Sequence, residues 1–238
     1  MPLLTSTQLR RLLHRCLSSP SSHFAPTHFP KLPFSTLSKT LNPNPNPDPI
    51  AQSLSNELLK PDESDLLPIN QRLSLHFSHL TSQITPSLVL QALTLAPEAG
   101  RLVLGFHQWL VKAAAFDQTD ETLSFFVDYF GRRKDFKATH ELLLQGKGVS
   151  GPKTLECVVD RLVRAGRATQ VVGFFERMER DYGFKRDKES LRLVVAKLCE
   201  NGYASYAEKM VKSLADEMFP DEGMCDLLVR GWCVDGKL

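Results

Sequence analysis

Apolar residues between Pro152 and Asp187 recur at helical spacing in two runs. Val158, Val159, Leu162 and Val163 make the first, and Val171, Val172, Phe174, Phe175 and Met178 the second. Between them stands Ala165-Gly166-Arg167, with glycine just past the last periodic residue. Glycine there supplies the left-handed residue that stops a helix. The pattern predicts two amphipathic helices joined by a tight turn. A hairpin with so much apolar surface must stack against another of its kind.

The same pattern returns downstream. In Lys188 to Asp221, the run Leu198-Cys199-Glu200-Asn201-Gly202 falls where Leu162-Val163-Arg164-Ala165-Gly166 fell, 36 residues earlier. Residues 121–151 form a weaker copy, with Phe126-Val127-Asp128-Tyr129-Phe130 and Phe136-Lys137-Ala138. Residues 222–238 begin a fourth, in which Gly231-Trp232-Cys233-Val234-Asp235-Gly236 restates the end of a first helix. Gly236 follows Gly202 by 34 residues. A helix-turn-helix unit at this period is the mark of a solenoid.

Ahead of the repeats, Thr85-Pro86-Ser87 opens a helix running to Leu95, with proline where its missing donor costs nothing. Pro97 restarts the chain into a second helix reaching about Ala115. Residues 86–119 are expected to cap the stack, with Leu102, Leu104, Phe106, Trp109 and Leu110 covering its open end. Two short helices are expected earlier, over Ile50–Lys60 and Ile69–Ile84. Pro at every second position in 42–49 makes that stretch an extended spacer.

The formal charge of +2 is less informative than its placement. No acid precedes Asp48, whereas Arg10, Arg11, Arg15, Lys31 and Lys39 do, amid abundant Ser and Thr. Leu9, Leu12, Leu13 and Leu17 share one helical face, so residues 1–41 have the composition of a mitochondrial leader, with a chloroplast leader as the alternative. From Glu98 onward basic and acidic side chains are equal in number, which argues against purely electrostatic nucleic-acid binding. Cys16, Cys157, Cys199, Cys225 and Cys233 include no Cys-x-x-Cys pair and no histidine at metal spacing, so they read as reduced packing thiols. No apolar run reaches the ~20 residues of a membrane span. Nucleophile elbows, phosphate loops, zinc-protease and zinc-deaminase signatures are all missing. No enzyme, metal site, cofactor or small-molecule substrate is expected.

The unit endings carry a resemblance. LVRAG, LCENG and GWCVDGK look like the LCKAGR ending of the first helix in plant pentatricopeptide repeats, and FFERM, FKRD and FPD look like the endings of those units. The similarity covers residues 86–238, in repeats of the plain P type at 121–151, 152–187, 188–221 and, in part, 222–238. It implies an all-α, right-handed α-solenoid. Because the sequence stops partway through the fourth unit, a fragment or truncated form of a longer protein is expected.

The resemblance further implies single-stranded RNA binding along the first helices, where an early residue of each first helix and the last residue of each unit meet one base. The early position falls on Ser124, Glu156, Arg192 and Asp226, and the closing position on Gly151, Asp187 and Asp221. Of the early set only Ser124 has the type of side chain the family uses there. Arg132 and Arg164 sit where the family often places a phosphate-holding lysine. The expected role is binding of a mitochondrial transcript during its processing, stabilisation or translation. The alternative is a helical-repeat scaffold in an organellar complex such as the mitochondrial ribosome. Partners would then be ribosomal or RNA-processing proteins.

Overall fold

The computed structural model describes residues 47–60, 67–112 and 116–234. The expected leader at 1–41 lies outside them, as do most of the Pro-rich spacer and Gly236. The described residues hold α-helices and one 3-10 turn. Helix α1 spans Pro49–Leu59, α2 Ile69–Phe77, α3 Pro86–Leu95 and α4 Leu102–Lys112. The repeat body follows with α5 Asp120–Arg132, α6 Phe136–Gln145, α7 Pro152–Arg164, α8 Ala168–Tyr182, α9 Lys188–Glu200, α10 Ala204–Ser213 and α11 Glu222–Val234.

Odd-numbered helices pack side by side in chain order from α1 to α11, forming one row. In the second row α2 meets α4, α6 meets α8, and α8 meets α10. The fold is therefore an all-α solenoid of helix pairs. One buried core runs through the later repeats, from Val127 and Leu143 through Val159, Phe175 and Val195 to Met224 and Leu228. Cys157 and Cys199 are buried in it as small apolar groups.

Local chemistry sets the helix ends. Thr85 Oγ1 accepts from Leu88 N at 3.3 Å ahead of Pro86, as its sequence signal indicates. Asp48, near the end of the spacer, caps α1 by accepting from Ile50 N at 2.8 Å. Gly166 and Gly202 adopt the left-handed conformation at φ 76° and 80°, turning each first helix into its second. The matching residue of the preceding repeat is Lys134, which also takes positive φ, at 58°.

Residues 86–112, expected to close the stack, have a further pair before them. Helix α1 lies against α3, and α2 against α4. Phe106, Trp109 and Leu110 are buried within the stack, together with Val103, while Leu102 and Leu104 are half-buried. The stretch 69–84 is helical only to Phe77 and continues as a 3-10 turn over Ser78–Gln83. Pro97 does not start a helix at once; a turn carries the chain to Leu102.

The α1–α2 pair encloses charge. Glu57 and Arg72 are both almost fully buried, with Arg72 Nε 3.4 Å from Glu57 Oε1. Lys60 Nζ reaches the other carboxylate oxygen at 2.5 Å, and His76 stands 3.5 Å from it. Burial works against the Glu57 carboxylate, but Lys60, Arg72 and His76 together hold its pKa below the ordinary value. His107 of α4 is buried too. Its Nδ1 is 3.2 Å from Gln145 Oε1, and its Nε2 is 2.6 Å from Gln118 Nε2. Donating from Nδ1 and accepting at Nε2, the neutral ring satisfies both amides.

Candidate nucleic-acid interface

The first-helix row is where the predicted base-facing positions should gather. Ser124 is buried at 1% exposure, and its Oγ donates to Glu121 O at 2.6 Å. Its hydroxyl thus closes a turn within α5. Packing of α5 against α7 covers that side of the helix.

The two other early positions in complete repeats are engaged across the repeat boundary. Glu156 lies 3.0 Å from Lys197 Nζ of α9. Arg192 Nη2 donates to Asp221 Oδ1 at 3.1 Å, ahead of α11. The guanidinium lies over Gly223, where an added Cβ would come within 2.1 Å of Arg192 Nη2. Asp226 in the last helix is exposed.

The closing positions act as helix caps. Asp187 Oδ1 accepts from Ser190 N at 2.9 Å, and Ser190 Oγ accepts in return from Asp187 N at 2.9 Å. This capping box, with Lys185 Nζ 2.9 Å away, holds the Asp187 carboxyl below its usual range. Asp221 Oδ1 accepts from Met224 N at 2.9 Å, and that bond, with Lys188 and then Arg192, lowers its pKa likewise. Gly151, the third closing residue, has no side chain to offer α7. Asp120, from the start of the preceding first helix, takes its place and accepts from Gly151 N at 2.8 Å, Lys153 N at 2.9 Å and Thr154 N at 3.0 Å.

Arg132 and Arg164 project at the ends of α5 and α7, each half exposed and each tied to an acid one turn earlier. Arg132 Nε donates to Asp128 Oδ2 at 2.7 Å, and Arg164 Nε to Asp160 Oδ1 at 2.9 Å. Asp128 also accepts from Arg161 Nε of the next repeat at 2.8 Å. The aliphatic stem of Arg161 lies against Gly131, leaving no room for a side chain there. Lys153 and Glu121 make a further bridge between α7 and α5 at 2.9 Å.

The row is therefore laced by acid–base pairs between successive repeats. Asp120, Asp128, Arg161 and Lys197 are functional positions in that lacing that the sequence pattern does not single out. Their signal is faint: complementary charges about one repeat apart. Each exposed pair contributes roughly 0–1 kcal/mol, yet together they fix the register of one repeat on the next. Reading a base edge needs hydrogen-bonding groups with unused capacity. Glu156, Arg192, Asp187 and Asp221 each spend at least one such contact on the protein.

No protein-family model matches the chain. Among curated proteins it is similar to the small ribosomal subunit protein mL104 (rPPR9) of Arabidopsis thaliana, at 51% identity over the whole chain and 50% of that protein. Two pentatricopeptide repeat-containing proteins of the same plant, both named as mitochondrial, match at 27% and 26% identity. Each aligns with 63% of the chain, which covers 30% and 28% of their respective lengths. The chain thus spans half or less of the curated relatives it matches. Among solved structures, the pentatricopeptide repeat protein PPR10 from maize matches 79% of the chain and 29% of its own, at 15% identity and a TM-score of 0.41. With its stacked helix pairs, its glycine-turned first helices and a 51% identical relative along its whole length, the chain belongs to the pentatricopeptide repeat family.

Proposed function

We propose that the chain is a helical-repeat structural component of a plant mitochondrial ribosome, without chemistry of its own. The observation that carries this reading is the 51% identity, along the full chain, to a protein named as a ribosomal subunit component. The mitochondrial names of two further relatives support the compartment, as does the acid-free, arginine-bearing start of the sequence. The lacing of the first-helix row supports it physically. In a repeat protein that reads a transcript two or three side chains per unit meet a base, whereas here Glu156 and Arg192 pair with the next repeat and Asp187 and Asp221 cap helices, which leaves them fewer contacts for bases.

The second reading is sequence-preferring binding of a single-stranded mitochondrial transcript. It draws on the family and on Asp187 and Asp221 at the closing positions. Sedimentation separates the two. The tagged full chain, expressed in plant mitochondria, is expected to travel with one ribosomal subunit through a sucrose gradient and to remain there after moderate salt. Sedimentation in light fractions, with one messenger tract enriched, would favour transcript binding instead.

A further inference from the structure

The turns joining first to second helices form a row along one edge of the stack. Tyr129 Oη donates to Ala96 O at 3.3 Å and Pro97 O at 3.2 Å, tying the turn after α3 to α5. Arg101 makes a two-pronged contact with Asp135, at 2.8 Å and 3.0 Å. Arg167, in the turn after α7, lies over the ring of Phe136 at 4.5 Å. Residues 96–101, 133–137 and 164–167 are thereby neighbours.

Charge on this edge is lopsided. Asp135 is occupied by Arg101 and by Ala138 N, Asp128 by Arg132 and Arg161, and Asp160 by Arg164. Arg133, Lys134, Lys137 and Arg167 are exposed, and among the described residues none of the four belongs to an ion pair of 4 Å or less. Glu98, which acts on Tyr129, and Glu141, which acts on Arg101, are acids near this edge. Two of the cations are held in place: Arg133 stacks 3.7 Å over Tyr129 and donates to Tyr129 O, and Arg167 rests on Phe136.

Lys134 supplies an independent observation. Its counterparts in the next two repeats are Gly166 and Gly202, all three with positive φ. A side chain there is strained where glycine is not. Local strain that the fold tolerates directs attention to function. Substitution of the lysine by glycine would relax the turn and remove a charge from the middle of the patch.

We infer that this turn edge, centred on Arg133, Lys134, Lys137 and Arg167, docks the phosphate backbone of folded RNA. None of the exposed large hydrophobic residues lies in the turns 96–101, 133–135 or 165–167. Protein interfaces are built around apolar and aromatic anchors, whereas nucleic-acid interfaces are polar and strongly basic. Shape and phosphate contact, rather than base reading, are what such an edge can recognise. That the RNA is ribosomal rests on the reading proposed above; the phosphate chemistry does not.

The test is anisotropy of the full chain with a labelled GC-rich RNA hairpin across a salt series. The wild type is compared with the variant Arg133→Gln/Lys134→Gly/Lys137→Gln/Arg167→Gln. Affinity is expected to fall at least about tenfold, and the dependence of log affinity on log salt to flatten by about one for each phosphate no longer held. Unchanged affinity and slope would overturn the inference, as would equal, competing binding of a polyglutamate peptide, which would assign the edge to an acidic protein. The single variant Lys134→Gly guards against a folding artefact. It should melt at a higher temperature yet bind the hairpin more weakly; a higher melt with undiminished binding would contradict the role given to Lys134. Ribosome sedimentation of the wild-type chain reports separately on the ribosomal reading. Wild-type co-sedimentation combined with full hairpin affinity in the fourfold variant would sink the edge alone.

Discussion

Asp120 caps a helix whose N-cap residue, Gly151, lies 31 residues after it, accepting from Gly151 N at 2.8 Å. The same carboxylate takes the amides of Lys153 and Thr154, so one side chain from α5 satisfies the first turn of α7. Capping usually comes from the residue just before the helix, as Asp187 does for α9. Here the cap is also the joint between repeats.

Asp120→Ala should therefore destabilise the fold by at least about 1–2 kcal/mol, read as a shift of the urea midpoint. Gly151→Asp should reverse sign with background. In the wild type an added Cβ meets the Asp120 carboxylate at 2.8 Å and brings a second negative charge, so stability falls. In Asp120→Ala the new aspartate can form with Thr154 the capping box that Asp187 forms with Ser190, and stability should recover. Destabilisation of equal size in both backgrounds would refute the relay.

The early positions give a second prediction. Glu156→Gln and Arg192→Gln, which remove the ion pairs to Lys197 and Asp221, should each cost roughly 0–1 kcal/mol of stability. They should leave the sequence preference of any bound RNA unaltered. A changed preference in a selection from random single-stranded RNA would return those residues to base reading.

His107 predicts a pH dependence. Burial pushes its pKa down to about 4, against an ordinary value of 6.5. The folded state thus binds fewer protons than the unfolded one below about pH 6.5, and stability rises with pH across that window. Its contribution is complete above pH 6.5 and is lost as pH falls toward 4, with about 2 kcal/mol gone by pH 5. Urea midpoints of the wild type and His107→Gln should converge as pH drops from 7 to 5. A constant difference would contradict a neutral, buried ring.

The Glu57–Arg72 pair predicts non-additivity. Arg72→Met alone leaves a buried carboxylate short of a partner and should cost about 3 kcal/mol, as should Glu57→Leu by stranding the buried guanidinium. Glu57→Leu with Arg72→Met should be less destabilising than the sum of the single changes. Simple additivity in chemical denaturation would show that the two charges do not depend on each other.

Much of the fold was legible because its signals are local. Thr85-Pro86 and Gly166 mark helix ends within a few residues, and apolar spacing marks the buried faces of α7 through α9. The sequence of the α1–α2 pair reads as two helices but not as a layer of the stack. Its sequence lacks the glycine turn, and its interior includes Glu57 and Arg72, which read as surface. The candidate site was less legible. Periodicity does not say that Ser124 turns beneath a neighbouring helix, and nothing near Gly151 announces that its cap comes from Asp120. The exception at Lys134 is visible in the sequence only once Gly166 and Gly202 define the position as a left-handed turn.

Cross-linking of the full chain to RNA in intact plant mitochondria, followed by sequencing of the bound fragments, identifies the RNA that the chain holds. A ribosomal component docked through its turn edge should yield fragments drawn from ribosomal RNA, centred on base-paired segments. Fragments converging on one unpaired tract of a messenger, with ribosomal RNA at background, would contradict that reading.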